Sequence, residues 1–217
     1  MSARARLVEQ WALHAAEAGL DDPRSRIGRR VIAKYAAPWR RYHGLGHLAF
    51  LFGEIERLRG EIADRDRLRF AAWFHDAIYV SWRKDNEARS AAWAQRALAA
   101  MGASDRLQSK TAALIEATAD HAGAALADLD DALFLDMDMA ILGAPPESYD
   151  RYARQVRFEY AFAPGPLYRK GRSAFLKAQL ARERIFHTAQ YERERGDQAR
   201  ANMARELDRL SGVLRTP

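Results

Sequence analysis

Two side chains able to hold a metal ion, His75 and Asp76, stand in the apolar run Ala71-Ala72-Trp73-Phe74-His75-Asp76-Ala77-Ile78-Tyr79, where a buried helix should carry neither. A carboxylate inside a core is costly unless a charge, a metal or a hydrogen-bond network compensates it. On one helix the two would lie about 100° apart, so both could reach one cation only if it sat against the side of the helix between them. His43 and His47 are four apart in Tyr42-His43-Gly44-Leu45-Gly46-His47-Leu48 and would share a face if that segment is already helical. Gly44 and Gly46 weaken a helix there but let a ligand or another backbone approach closely. Acid recurs among apolar residues at Asp136 and Asp138, within Phe134-Leu135-Asp136-Met137-Asp138-Met139-Ala140-Ile141-Leu142. Two imidazoles and two carboxylates from three helices could surround one divalent cation, with water completing the coordination. The chain has no cysteine, which excludes a thiolate site, a disulfide and a cysteine nucleophile and leaves His and carboxylate to hold any metal.

The segments that must position these residues carry helical periodicity and helix punctuation from end to end, and alternating β-branched runs are missing, so an all-α protein is expected. A first helix runs from about Ala3 to Ala18 and stops at Gly19; Asp22-Pro23 then supplies a cap and a first-turn proline for a second helix reaching about Tyr35. After Pro38, a turn through residues 40–44 leads into a helix with Leu45, Leu48, Phe52 and Ile55 on one side, closing at Gly60. The helix bearing His75 and Asp76 is expected from about Asp64 to Ser81. Asp85 and Ser104 cap the next two, the first ending at Met101-Gly102 and the second reaching toward His121. Further helices are expected over Asp128–Leu142, from Pro145-Pro146 onward, over Leu167–Thr188 and over Ala189–Leu214. Connections are short and no repeat or low-complexity linker interrupts them. This favours one compact multi-helix bundle over 1–217, with the basic segment 151–217 as a helical extension packed on it.

Of 217 residues, 48% are hydrophobic, enough for a real core. No apolar stretch approaches the roughly 20 residues of a membrane span and the N-terminus has no signal-like block, so a cytoplasmic protein without a membrane partner is expected. The net charge of +6 is uneven: residues 1–150 hold 20 Lys and Arg against 22 Asp and Glu, residues 151–217 hold 15 against 7. Such an excess can steer phosphate-bearing ligands. Here the arginines alternate with glutamate, as in Arg182-Glu183-Arg184 and Glu192-Arg193-Glu194-Arg195, the pattern of solvated helix faces. With no recognition motif, nucleic acid is not an expected partner. Helical bundles with exposed apolar stripes often pair, which makes a homodimer a candidate assembly. Trp73, Phe74, Trp82, Tyr149, Tyr152 and Phe158 fall at helical spacing and read as core. Arg40, Arg41, Arg157 and Arg172 could bind substrate phosphate but individually read as surface, and His14 and His187 have no partner pattern.

The ordered set of a His at the start of one helix, His-Asp on the next and a distant Asp on a later one resembles the HD superfamily of metal-dependent phosphohydrolases. Four stretches carry the resemblance: 41–48, 71–79, Asp85-Asn86-Glu87-Ala88-Arg89-Ser90-Ala91 and 135–143. Together they look like a compact, all-helical, largely uncharacterised subgroup of predicted HD phosphohydrolases, and Tyr149, Tyr152, Val156-Arg157 and Glu159-Tyr160 also fit its pattern. The resemblance implies an HD-type fold and His47, His75, Asp76 and Asp138 as metal ligands, Asp138 being preferred over Asp136, which could instead bond to its surroundings. Gly44 departs from the Asn that relatives often carry after the first His. It further implies a divalent cofactor (Mn, Mg, Zn, Fe, Co or Ni) and hydrolysis of a small phosphate ester or anhydride, a nucleotide among the candidates, through a metal-activated water that Asp76 could bridge or position. Glu87 and Asp85 are candidates for acid–base work or for a hydrogen bond to a ligand His, although Asp85 also suits a helix cap and Glu87 a first helical turn. His121 is a candidate site residue for a second metal or for phosphate, although it also suits a helix C-terminus. The alternative is a catalytically silent metal- and nucleotide-binding sensor module.

Overall fold

Helix α4 (Arg65–Phe74) buries every residue from Arg67 to Phe74, and a helix of that kind has to be surrounded. In the computed structural model, which describes residues 2–121 and 123–212, it is surrounded by helices alone: no strand occurs among the described residues. The chain divides into two compact units, residues 1–131 and 132–217.

The first unit contains α1 (Ala3–Glu17), α2 (Arg26–Tyr35), α3 (Leu45–Arg57), α4, α5 (Asn86–Ala100), α6 (Asp105–Ala117) and the start of α7 (Leu129–Met139). α4 packs on α3, α5 and α6. Trp11, fully buried on α1, meets Phe70, Trp73 and Phe74 edge-on at 5.2 to 6.0 Å. Its Nε1–H donates to Asp22, whose carboxylate also accepts the Ile27 and Gly28 amides. Asp22 thus caps α2 as expected, but not by a continuous helix: Pro23–Ser25 is a 3₁₀ turn in which Arg24 and Ser25 take positive φ. Arg67 is buried between Asp128 (2.7 Å), Asp130 (3.2 Å) and Asp131 (3.2 Å), while Asp130 also accepts the Ala63 and Asp64 amides. These contacts fix the start of α7 against the first turn of α4.

Within this unit α4 and α6 end earlier than their sequence pattern suggests. α4 stops at Phe74, with His75 as its cap residue and Asp76 in the turn beyond. α6 stops at Ala117, and a 3₁₀ turn carries the chain to His121.

The second unit contains the rest of α7, α8 (Pro146–Glu159), α9 (Gly165–Leu180) and α10 (Ala189–Ser211). The expected extension of α10 to Leu214 falls outside the described residues. α9 ends at Leu180, eight residues short of Thr188. Asp136 takes the His187 and Thr188 amides (2.7 and 2.8 Å) and the Thr188 hydroxyl (2.7 Å), holding Thr188, extended, as the N-cap residue of α10. Arg172 is buried against Glu206 in a two-bond fork (2.9 Å each), and the hydroxyls of Tyr149 and Tyr152 join it. Trp82 and Phe158, expected in the core, are 71% and 48% exposed. Among the described residues no helix is long and apolar enough to cross a membrane.

Two glycines permit close approach. A Cβ on Gly28 would enter the Trp11 ring, and one on Gly143 would lie 2.6 Å from the Arg195 carbonyl oxygen. Gly28→Ala and Gly143→Ala should each cost about 1–3 kcal/mol by overpacking, read as a fall of several degrees in Tm.

His14 on α1 is 5% exposed, and its Nδ1 accepts the Trp73 indole N–H at 3.1 Å. Burial, with the Arg69 charge adding to it, lowers its pKa from 6.5 to about 4. The folded chain therefore binds fewer protons than the unfolded chain between those pH values, and stability falls as the pH drops through that window. The full effect is on the order of 3 kcal/mol. Urea midpoints measured from pH 7 to pH 4 should drop in the parent and flatten in His14→Gln.

Candidate metal centre

His47 lies in the first turn of α3, which Gly44 opens as the N-cap residue. His43 precedes the helix, so the two imidazoles do not share a helical face: His43 stacks on Tyr79 at 4.3 Å. A Cβ on Gly44 would meet the Arg40 and Tyr35 carbonyl oxygens at 3.1 and 3.3 Å, so the turn into α3 is tight there. His75 arrives from the end of α4, and the Nε2 atoms of His47 and His75 stand 3.1 Å apart. Asp76 Oδ2 is 3.3 Å from His75 Nε2. All three residues are buried, and their ligand atoms lie within 4.8 Å of one another.

The end of α4 is held by residues from the preceding segment. The Tyr35 hydroxyl donates to the Ala72 carbonyl (3.4 Å) and accepts the Asp76 amide (3.2 Å). Arg40, 8% exposed, donates to the carbonyls of Asp76 (2.6 Å) and Ala77 (3.3 Å) while its guanidinium faces the Tyr35 and Tyr79 rings. On the far side of the turn, Ser90 bonds the Ile78 amide and carbonyl, and Asn86 does the same for Val80. Arg40 is therefore a buried brace of the His-Asp turn and not a surface arginine.

His75 Nδ1 is 3.0 Å from the Ala72 carbonyl. A carbonyl can only accept, so Nδ1 carries a proton; in the neutral ring Nε2 is then the lone-pair nitrogen, on the side of His47 and Asp76. A lone pair facing a carboxylate oxygen at 3.3 Å needs a positive charge between them. A proton serves one such contact; a metal ion serves all of them. Two nitrogens bound at ordinary zinc distances with 90–110° between them stand about 2.8–3.4 Å apart, and 3.1 Å falls inside that range. A ligating His that passes its other N–H to a backbone carbonyl is the usual arrangement around bound metals. The group can hold a metal ion, and its N₂O donor set suits several divalent ions.

The other expected site residues stand as follows. Asp138 is half-buried on α7 and belongs to the second unit. Asp136 is 1% exposed; burial pushes its pKa up, against the three bonds that favour its ionised form. With both oxygens on 187–188, it is a structural carboxylate. Glu87 is half-buried in the first turn of α5, and His121 is half-buried after α6. Neither supplies a ligand atom to the three-residue group. Asp85 precedes α5 without a capping bond from its side chain, which instead forks onto Arg83 at 2.6 Å. Arg157 bonds the Tyr160 and Ala163 carbonyls, and Arg172 is buried on Glu206, so both serve the fold. Asn86 and Ser90 lie in the stretch 85–91 that carries the resemblance, where the sequence assigns them no role, and Tyr35 lies outside all four stretches.

Comparison with protein-family models, with curated proteins and with solved structures finds no match to this chain.

Tyr35→Phe keeps the ring and removes the hydroxyl that fixes the Asp76 amide. It should lower affinity for Zn²⁺ or Mn²⁺ by roughly 10-fold or more, measured by isothermal titration, with helix content unchanged.

Proposed function

We propose that this protein is a metal-dependent phosphohydrolase of HD type, acting on a small phosphate ester or anhydride such as a nucleotide. The observation that supports the proposal most is the convergence of His47 Nε2, His75 Nε2 and Asp76 Oδ2 in a buried pocket of charge, with the His75 tautomer fixed by Ala72. It agrees with the order of motifs in the sequence, in which His, His-Asp and a later Asp follow one another. The sequence pattern alone nominates Asp138 as the fourth ligand.

A bound divalent cation would lower the pKa of a water molecule and polarise a phosphoryl oxygen. The chain supplies the rest. His47 and His75 contribute neutral donors, and Asp76 contributes the negative charge that favours a cation over a proton alone. Arg40 and Tyr35 keep the Asp76 backbone in place, so that its carboxylate cannot swing away when a ligand enters. Asp76 also offers a carboxylate oxygen to orient an attacking water, Glu87 is the candidate for acid–base work, and His121 is the candidate to hold a second metal or phosphate.

The purified protein should carry or take up close to one equivalent of divalent metal, and at least one compound in a panel of nucleotides and phosphate esters should be hydrolysed in a reaction that chelation stops. His75→Ala and Asp76→Ala should lose metal and at least about 100-fold in kcat/KM, a loss of roughly 2.7 kcal/mol of transition-state stabilisation, while keeping the helical spectrum. Metal uptake equal to the parent's in both variants would refute the site. Metal uptake without turnover of any phosphorylated compound would identify a metal-binding sensor module instead.

A further inference from the structure

A second feature of the first unit lies on the other side of α3's packing against α1 and α4. His14, Phe52 and Ile55 form the buried floor of a cleft of about 330 Å³, and Leu13, Arg59 and Arg65 stand on its rim. That volume lies in the range of small-molecule sites, roughly 300–1,000 Å³. Leu13 is 55% exposed, an apolar side chain left in water at the mouth.

The floor carries an unused donor. Trp73 donates its indole proton to His14 Nδ1, so the neutral ring holds its own proton on Nε2. Among the described residues no protein acceptor meets that N–H, and the ring lines the cleft. The low pKa of His14 keeps the ring in this one-donor form at neutral pH.

The charges on the walls are unequally committed. Arg59 pairs with Glu56 at 2.9 Å, and Arg69 pairs with Glu17 at 2.6 Å and lies 3.5 Å from Asp66. Arg65, at the first position of α4, makes no hydrogen bond or ion pair among the described residues. Among those residues the cleft therefore offers one uncommitted cation, one neutral donor and an apolar floor. Glu17 and Glu56 on the same walls oppose a doubly charged anion.

We propose that this cleft binds a small monocarboxylate with an apolar body, of the medium-chain or aromatic acid class, its carboxylate taken by Arg65 and His14 Nε2–H and its body laid on Phe52, Ile55 and Leu13. One carboxylate accepts from both donors, and the acyl chain or ring covers the exposed leucine. The site is separate from the His47, His75 and Asp76 group and does not depend on the proposed hydrolase activity.

The experiment titrates full-length protein, labelled with ¹⁵N in His and Trp, with octanoate, benzoate and inorganic phosphate at neutral pH. Octanoate or benzoate should give saturable shifts of His14 Nε2 and the Trp73 indole resonance, and phosphate should not. Arg65→Glu and Leu13→Glu, both at exposed positions and expected to keep the parent's Tm, should each weaken that binding by roughly tenfold or more. The proposal is overturned if neither acid gives a saturable shift at millimolar concentration, if both variants bind as the parent does, or if phosphate binds as tightly as the acids.

Discussion

Everything in the first unit depends on how a helix can end inside a core. α4 is buried along nearly its whole length, so the peptide groups at its C-terminus have little water to bond and must find partners within the protein. The partners come from the segment before α3: the Tyr35 hydroxyl takes the Asp76 amide, and the Arg40 guanidinium takes two carbonyls of the turn. Because those groups hold the chain in a turn after Phe74, His75 and Asp76 are not 100° apart around a helix. They aim at one point, and His47 reaches that point from the first turn of α3.

The two buried acids in apolar surroundings, Asp76 and Asp136, show how different solutions meet the same cost. Asp136 is compensated by two amides and a hydroxyl at the start of α10, and this ties up both of its oxygens. Asp76 has its backbone fixed instead, and its Oδ2 lies 3.3 Å from His75 Nε2. A carboxylate whose oxygens are taken by amides and a hydroxyl stabilises a fold; one set beside imidazole nitrogens can join them around a cation. The same distinction separates the arginines. Arg67, Arg40 and Arg172 are each buried against acids or carbonyls and act as braces, whereas Arg65 has no such partner among the described residues.

Much of this was legible in the sequence. Proline and glycine punctuation marks helix starts and stops because both act through local backbone sterics: Pro146 opens α8, Gly19 and Gly102 take positive φ after α1 and α5, and Ser104 and Asp64 cap α6 and α4 with their side chains. His47, His75 and Asp76 stand out as polar groups where apolar ones are expected. The misplacements come from distant partners. The turn after α4 is held by Tyr35 and Arg40, some 35 to 40 residues away, and the segment before α10 by Asp136, some 50 residues away, and local periodicity carries no record of such partners.

The sequence by itself determined the all-α class, most of the helix starts and the identity of three residues able to bind a metal, since periodicity, capping and the rarity of buried charge are local properties. Tertiary structure decided that His75 Nδ1 bears a proton, that Asp136 is structural, that Arg40 is a brace, and that His14 lines a cleft. Each of those depends on which acceptor or donor a fold brings within about 3 Å, a distance at which one hydrogen bond fixes the state of a whole side chain.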